Sequence, residues 1–173
     1  MATALHAVQT YAAAPDAVFA KYSDRTFLDG RLRAAGGIDP QITELLVDGE
    51  GSDRTVRIVS RQSIPASVLP SVVSAIMPGD PVILRTENWR PVDGGFLADF
   101  DVVIKNAPAS LQGTMTLTAA PGAGSAGSVV TIVGRATVPI PLFGGKIEGV
   151  IVDQVDKLLR FEEQYTQQQL GTG

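Results

Sequence analysis

The sequence predicts an α+β fold in which a curved, seven-stranded antiparallel sheet wraps around one long C-terminal helix, with two short helices between strands one and two. Three observations predict it. From Gly145 to about Gly171 there is no proline, and Ile147, Ile151, Val155, Leu158, Phe161 and Tyr165 recur at steps of three and four, the spacing of one helical face. Upstream the period becomes two, most cleanly where Phe96, Ala98, Phe100, Val102 and Ile104 alternate with Leu97, Asp99, Asp101, Val103 and Lys105. A sheet with one apolar face needs cover, and a helix of this length, about 40 Å at 1.5 Å per residue, can supply it.

The first strand fits Leu5 to Ala12. Residues 2 to 14 are alanine-rich, but no basic segment precedes them and His6, Gln9 and Thr10 interrupt the apolar run, so a strand is expected there rather than a secretory signal. Ala14-Pro15-Asp16 opens a short helix carrying Val18, Phe19 and Tyr22, with proline suited to the first turn and aspartate to the positive end. Ser23-Asp24 opens a second, carrying Phe27, Leu28 and Leu32 and ending at Gly36-Gly37. Strands then fit Gln41 to Val47, Thr55 to Ser63, Val82 to Arg90, Gly95 to Lys105, Leu111 to Ala119 and Ser128 to Pro139, separated by glycine-bearing turns. On the sixth strand Leu111, Gly113, Met115 and Leu117 form the inward set. On the seventh, Gly134 interrupts Val130, Ile132, Ala136 and Val138, where a glycine predicts a bulge or bend.

The connection between strands three and four, Ile64 to Pro81, is longer than a turn requires. Leu69, Val72, Val73 and Ile76 have helical spacing between prolines, which makes the segment a lid candidate. Successive connections of an antiparallel meander alternate between the ends of the sheet. This insertion, the turn at Asn106 to Ser110 and the corner at Pro139 to Gly145 therefore surround one opening.

At 173 residues the chain, 1–173, is expected to be a single domain. It has no cysteine and one histidine, His6, which excludes disulfides, thiolate metal sites and cysteine nucleophiles and leaves no zinc set; no metal or other cofactor is expected. A formal charge of −4 gives no basic footprint for nucleic acid. No apolar run reaches the roughly 18 residues of a membrane span, so no stable membrane insertion and a cytoplasmic location are expected.

Candidate chemistry is sparse. Gly122, Gly124 and Gly127 spell G-x-G-x-x-G, but a strand follows rather than a helix, so a hairpin loop is predicted. Gly144-Gly145-Lys146 lacks the other P-loop residues and reads as a corner. Asp99 and Asp101 share a face but alternate with the apolar set, which points them to water. His6 and Glu87 lack a visible catalytic partner, and Arg54, Arg57 and Arg61 read as a solvated stripe without interleaved aromatics.

Ala14 to Phe19 resembles the entry to the first helix of the START-like helix-grip superfamily, also called SRPBCC, and the order of elements resembles it along the whole chain. Glu87-Asn88-Trp89, Pro108 to Gly113 and above all Pro139 to Glu148 look like a bacterial branch catalogued as a domain of unknown function. The superfamily includes lipid carriers, pollen allergens, plant hormone receptors and polyketide cyclases. In the receptors the connections after strands three and five act as gate and latch, which matches the opening inferred above. No receptor's ligand-contacting residues carry over, because the matching motif residues are absent.

The leading expectation is non-catalytic binding of a hydrophobic small molecule or lipid between sheet and helix. The expected lining is Phe96, Phe100, Val102, Met115, Leu117 and Ile132 from the sheet, with Trp89 as a further lining candidate. Ile147, Ile151, Val155 and Leu158 would come from the helix, and Leu69, Val73 and Met77 from the lid. One alternative is a cyclase or aromatase-like enzyme, which needs a buried titratable pair. The other is a protein-interaction module with a filled core, which a continuous apolar outer patch would favour.

Overall fold

The computed structural model describes residues 2–77, 79–122 and 127–171. Strands β1 (Ala2–Tyr11), β2 (Ile38–Asp48), β3 (Thr55–Ser63), β4 (Val82–Val92), β5 (Gly95–Ile104), β6 (Ser110–Ala119) and β7 (Ser128–Thr137) form one curved antiparallel sheet in the order β1-β7-β6-β5-β4-β3-β2. Helices α1 (Pro15–Tyr22) and α2 (Arg25–Ala34) separate β1 from β2, and α4 (Gly144–Gly171) follows β7. This is the helix-grip architecture expected. In the β3–β4 connection the spacing produces only a 3-10 turn at Ala66–Val68 and a four-residue helix, α3 (Ser71–Ser74); Pro78, within that insertion, lies outside the described residues. Among the described residues no helix is long and apolar enough to cross a membrane.

Local chemistry accounts for the element ends. Pro15 opens α1, and the Asp24 carboxylate caps α2 by accepting the Thr26 N–H at 3.0 Å. Gly36 and Gly37, at φ +85° and +100°, turn the chain out of α2. Gly122, at φ +75°, lies just after β6, and the Gly127 carbonyl accepts the Ala120 N–H before β7 begins, so a strand follows this glycine run; Gly124 lies outside the described residues.

The inner face is organised in rows across the sheet. One row pairs Leu5 with Gly134, Gly134 with Gly113, Gly113 with Phe100, Phe100 with Glu87 and Glu87 with Ile58. Of the bulge or bend expected at Gly134 the bulge is absent, because the ladder runs through it in register, and the register shifts fall instead in β2, between Ile38 and Gln41 and between Ile42 and Glu44. Gly134 serves close approach: a Cβ there would stand 2.9 Å from Phe100 Cζ and 2.8 Å from the Gln112 carbonyl oxygen.

The buried stripe of α4 differs from the one its apolar residues predict. Ile147 is buried, but the stripe continues through Glu148, Leu159, Glu162 and Thr166, while Phe161 is 53% exposed. The stripe still follows the 3.6-residue period, but polar side chains with buried partners occupy it. At its start the Glu148 carboxylate accepts the Val138 N–H at 2.9 Å and the Thr3 hydroxyl at 2.9 Å, tying α4 to the end of β7 and to β1. Farther along, Gln9 Nε2 donates to the Leu159 carbonyl and Gln167 Nε2 to the Thr10 carbonyl, both at 2.9 Å.

The Val138 N–H foremost, and the Thr3 hydroxyl, hold the Glu148 carboxyl below its ordinary value of 4.5. A depressed folded-state pKa contributes stability above the unfolded value that is lost as pH falls through the folded one. Glu148→Gln should therefore be less stable than wild type near neutrality, and the gap should close as the pH is lowered below about 4.5. Denaturant unfolding across pH 3 to 7 checks this, and a gap that widens with acid contradicts it.

Candidate functional site

Helix α4 packs chiefly on β1 and β7 and against α2, and less closely on the inner face of β3, β4 and β5. A space of about 340 Å³ lies there. Its floor is Phe100 and Val102 of β5, Leu111 and Met115 of β6 and Ile132 of β7, and its roof is Ile151, Val155 and Leu158 of α4. Leu69, Val73 and Met77 line it from the β3–β4 connection. Val73 and Met77 are buried in a cluster with Ala109, Val138 and Ile147, so the insertion, the β5–β6 turn and the chain after β7 do meet at one end of the sheet. Exposed lining residues mark the mouth: Gly36 and Gly37 after α2, Val68 of the insertion, and Lys157 and Phe161 of α4. The exposure of Phe161 follows from this position at the rim.

Phe96, Trp89, Leu117 and Ile147, expected at the same site, lie elsewhere. Phe96 stacks on Phe19 at 3.9 Å between ring centres, and Trp89 packs against Tyr22 at 5.2 Å and edge-on to Phe19 at 6.1 Å. These contacts, with the fully buried Leu117, fill the end of the sheet beneath α1, while Ile147 belongs to the cluster with Val73 and Met77.

Sequence reasoning missed a buried charged cluster on one wall of the space. Arg85 of β4 donates from Nη1 to Glu162 Oε1 at 2.6 Å and pairs through Nε with Glu87 Oε2 at 3.1 Å. Arg31 of α2 stands 3.8 Å from Glu87 Oε2, and Trp89 Nε1 donates to Glu87 Oε1 at 3.1 Å. Arg31 also lies over the Tyr22 and Phe27 rings at 5.3 and 5.8 Å. Of the four charged groups, Arg85 and Glu162 line the space. Burial alone would lower the arginine pKa values, but the two glutamates more than compensate and both are raised. Burial alone would raise Glu162, yet Arg85 and then Arg31 hold it below the carboxylate range. Burial pushes the neighbouring Tyr22 up to about 12.

The signal for this cluster lay in strand parity. Once Trp89 faces inward, Glu87 and Arg85 on the same strand must as well. The other candidates are solvated: His6 is exposed on the outer face, Asp99 pairs with Arg90 at 2.7 Å and Asp101 accepts from Gln112. On β3, Arg57 pairs with Glu44 at 3.0 Å and Arg61 with Asp39 at 3.6 Å.

Removing one member of a buried ion pair leaves its partner uncompensated, at a cost of about 3–5 kcal/mol, whereas replacing both with apolar groups is often close to neutral. Glu162→Ala should lose stability of that order, and Arg85→Met with Glu162→Leu should recover most of it. A double-mutant cycle by urea unfolding checks this, and additive losses contradict it.

On this fold, the chain is similar to a START superfamily protein from Mycobacterium smegmatis, with a TM-score of 0.56 and 11% identity over 95% of this chain and 97% of that one. An aromatase/cyclase from Streptomyces sp. R1128 superposes with a TM-score of 0.57 and 8% identity over 98% and 96% of the two chains. An uncharacterized protein of Mycobacterium tuberculosis is 35% identical over 117 residues, 67% of this chain; the match spans 66% of that relative's length, just under two thirds. The family model described as a protein of unknown function, DUF2505, matches residues 6–170, and the chain is a member of that family, built on a START-like helix-grip fold.

Proposed function

We propose that the protein binds a hydrophobic small molecule or lipid, without catalysis, in the space between the sheet and α4. The observation that carries this reading is the apolar space itself, about 340 Å³ and open at one side, which falls within the range of small-molecule sites, about 300–1,000 Å³. Phe100, Val102, Met115 and Ile132 would meet the ligand from the sheet, Ile151, Val155 and Leu158 from the helix, and Leu69, Val73 and Met77 from the insertion. Affinity would come mainly from apolar burial, at about 25 cal/mol per Å².

The buried Arg85–Glu162 pair gives specific support to a second reading, a cyclase or aromatase-like enzyme, because that reading requires titratable groups at the cavity wall. Against it stands their mutual engagement. Glu162 is held ionised and Arg85 is held protonated, so neither is poised to exchange a proton near neutral pH.

Native mass spectrometry of freshly purified protein should detect a retained apolar molecule or uptake of an added one. Phe161→Ala, at the rim, should speed release of a bound apolar dye while changing unfolding free energy by about 0.5 kcal/mol or less. Absence of any bound or added ligand in the spectra, together with no dye binding, contradicts the reading.

A further inference from the structure

The space is apolar, but one wall is not, and the charge on that wall is balanced. Arg85 pairs with Glu162 at 2.6 Å and Glu87 at 3.1 Å, and Arg31 faces Glu87 at 3.8 Å. Two guanidinium groups therefore meet two carboxylates, with a formal sum of zero. A ligand carboxylate entering here would approach two existing carboxylates, while the guanidinium groups nearest to it are already engaged. Lys157 also lines the space, but it stands at the exposed rim, where water and salt screen its charge.

What the wall does offer is uncharged hydrogen bonding. Ser60 and Gln62 of β3 both line the space, and Ser60 lies opposite Arg85 in the ladder. Gln62 Oε1 is buried without a hydrogen-bond partner among the described residues, which leaves that acceptor unused. The volume is near the low end for small-molecule sites, enough for one chain or a small fused-ring body but not for a two-chain phospholipid.

Resting on the binding reading above, we propose that the ligand is a neutral, single-bodied amphiphile whose hydroxyl meets Ser60 and Gln62 beside the Arg85–Glu162 pair, and that the balanced ion cluster discriminates against carboxylates. The cluster thus sets ligand class as well as helix position.

The test is displacement of Nile red, a neutral apolar dye, from the full chain by dodecanol and by dodecanoate at pH 8, each below its aggregation concentration. Dodecanol should displace the dye at a concentration at least about tenfold lower, equivalent to about 1.4 kcal/mol. Glu162→Gln raises the formal charge of the cluster by one and should move the ratio towards dodecanoate. Glu87→Gln makes the same change from the other side of Arg85, should the first variant fold poorly by circular dichroism. If dodecanoate competes as well as dodecanol in the wild type, the neutral-ligand inference is overturned while the binding reading stands. An unchanged ratio in a folded variant removes the ion cluster from the discrimination and overturns its assigned role. If Nile red does not bind and neither compound is taken up, the binding reading falls and this inference with it.

Discussion

The position of α4 over the sheet depends on two buried carboxylates of its own. Glu148 is held by the Val138 N–H and the Thr3 hydroxyl, and Glu162 by Arg85. They are 14 residues apart on nearly the same side of the helix, a separation of about 21 Å at 1.5 Å per residue. Each would be costly to bury unpaired, so displacement of the helix towards or away from the sheet breaks a charge-assisted contact at one end or the other. Directional contacts of this kind fix position in a way that apolar packing does not, which is consistent with a specifying role for buried ion pairs in this protein. A helix held at two points does not have to collapse onto everything beneath it.

The α4 residues that line the space, from Val150 to Glu162, fall between the first anchor and the second. The small inward residues Ala98, Gly113, Gly134 and Ala136 are a natural place to look for missing volume, but they do not supply it. Ala98 and Ala136 are fully buried, and the Phe100 ring lies close against Gly134. The space lies where α4, packed chiefly on β1 and β7, roofs the inner face of the sheet obliquely, with the insertion closing one end. Val73 and Met77 are buried with Ala109, Val138 and Ile147, so the insertion is anchored as core at one end while its Val68 stays exposed at the mouth.

Most of the fold was legible because it rests on local signals. Alternation on β5 to β7, Pro15 and Asp24 at helix starts, glycines after α2 and an unbroken helical period from Gly145 each act over a few residues, and each placed its element within a few residues of its observed bounds. The site was legible only in part. Apolar period placed Ile151, Val155 and Leu158 towards the space, but it treated Phe161 as core and passed over Glu162 and Thr166, because a periodicity of apolar residues is blind to a buried carboxylate whose partner is 77 positions away. Inward parity alone points Phe96 to the cavity, and a large apolar body with one donor makes Trp89 a candidate there. Parity gives the face of the sheet but not the row, and the row of Trp89 is filled by Phe19 and Tyr22. The same rule, applied along β4, turns Arg85 and Glu87 inward with Trp89, a consequence that only becomes chemically sensible once α2 and α4 bring Arg31 and Glu162 to meet them.

The proposed entry of an apolar ligand between α4 and the sheet is open to direct test by methyl-labelled NMR during titration with a neutral apolar ligand. Binding there should shift Val102, Met115, Ile132, Ile151, Val155 and Leu158 most, with Val8 and Val133 on the outer face unmoved. Shifts confined to exposed apolar residues such as Leu142, 98% exposed at the corner before α4, would contradict it, as would no shifts at saturating ligand.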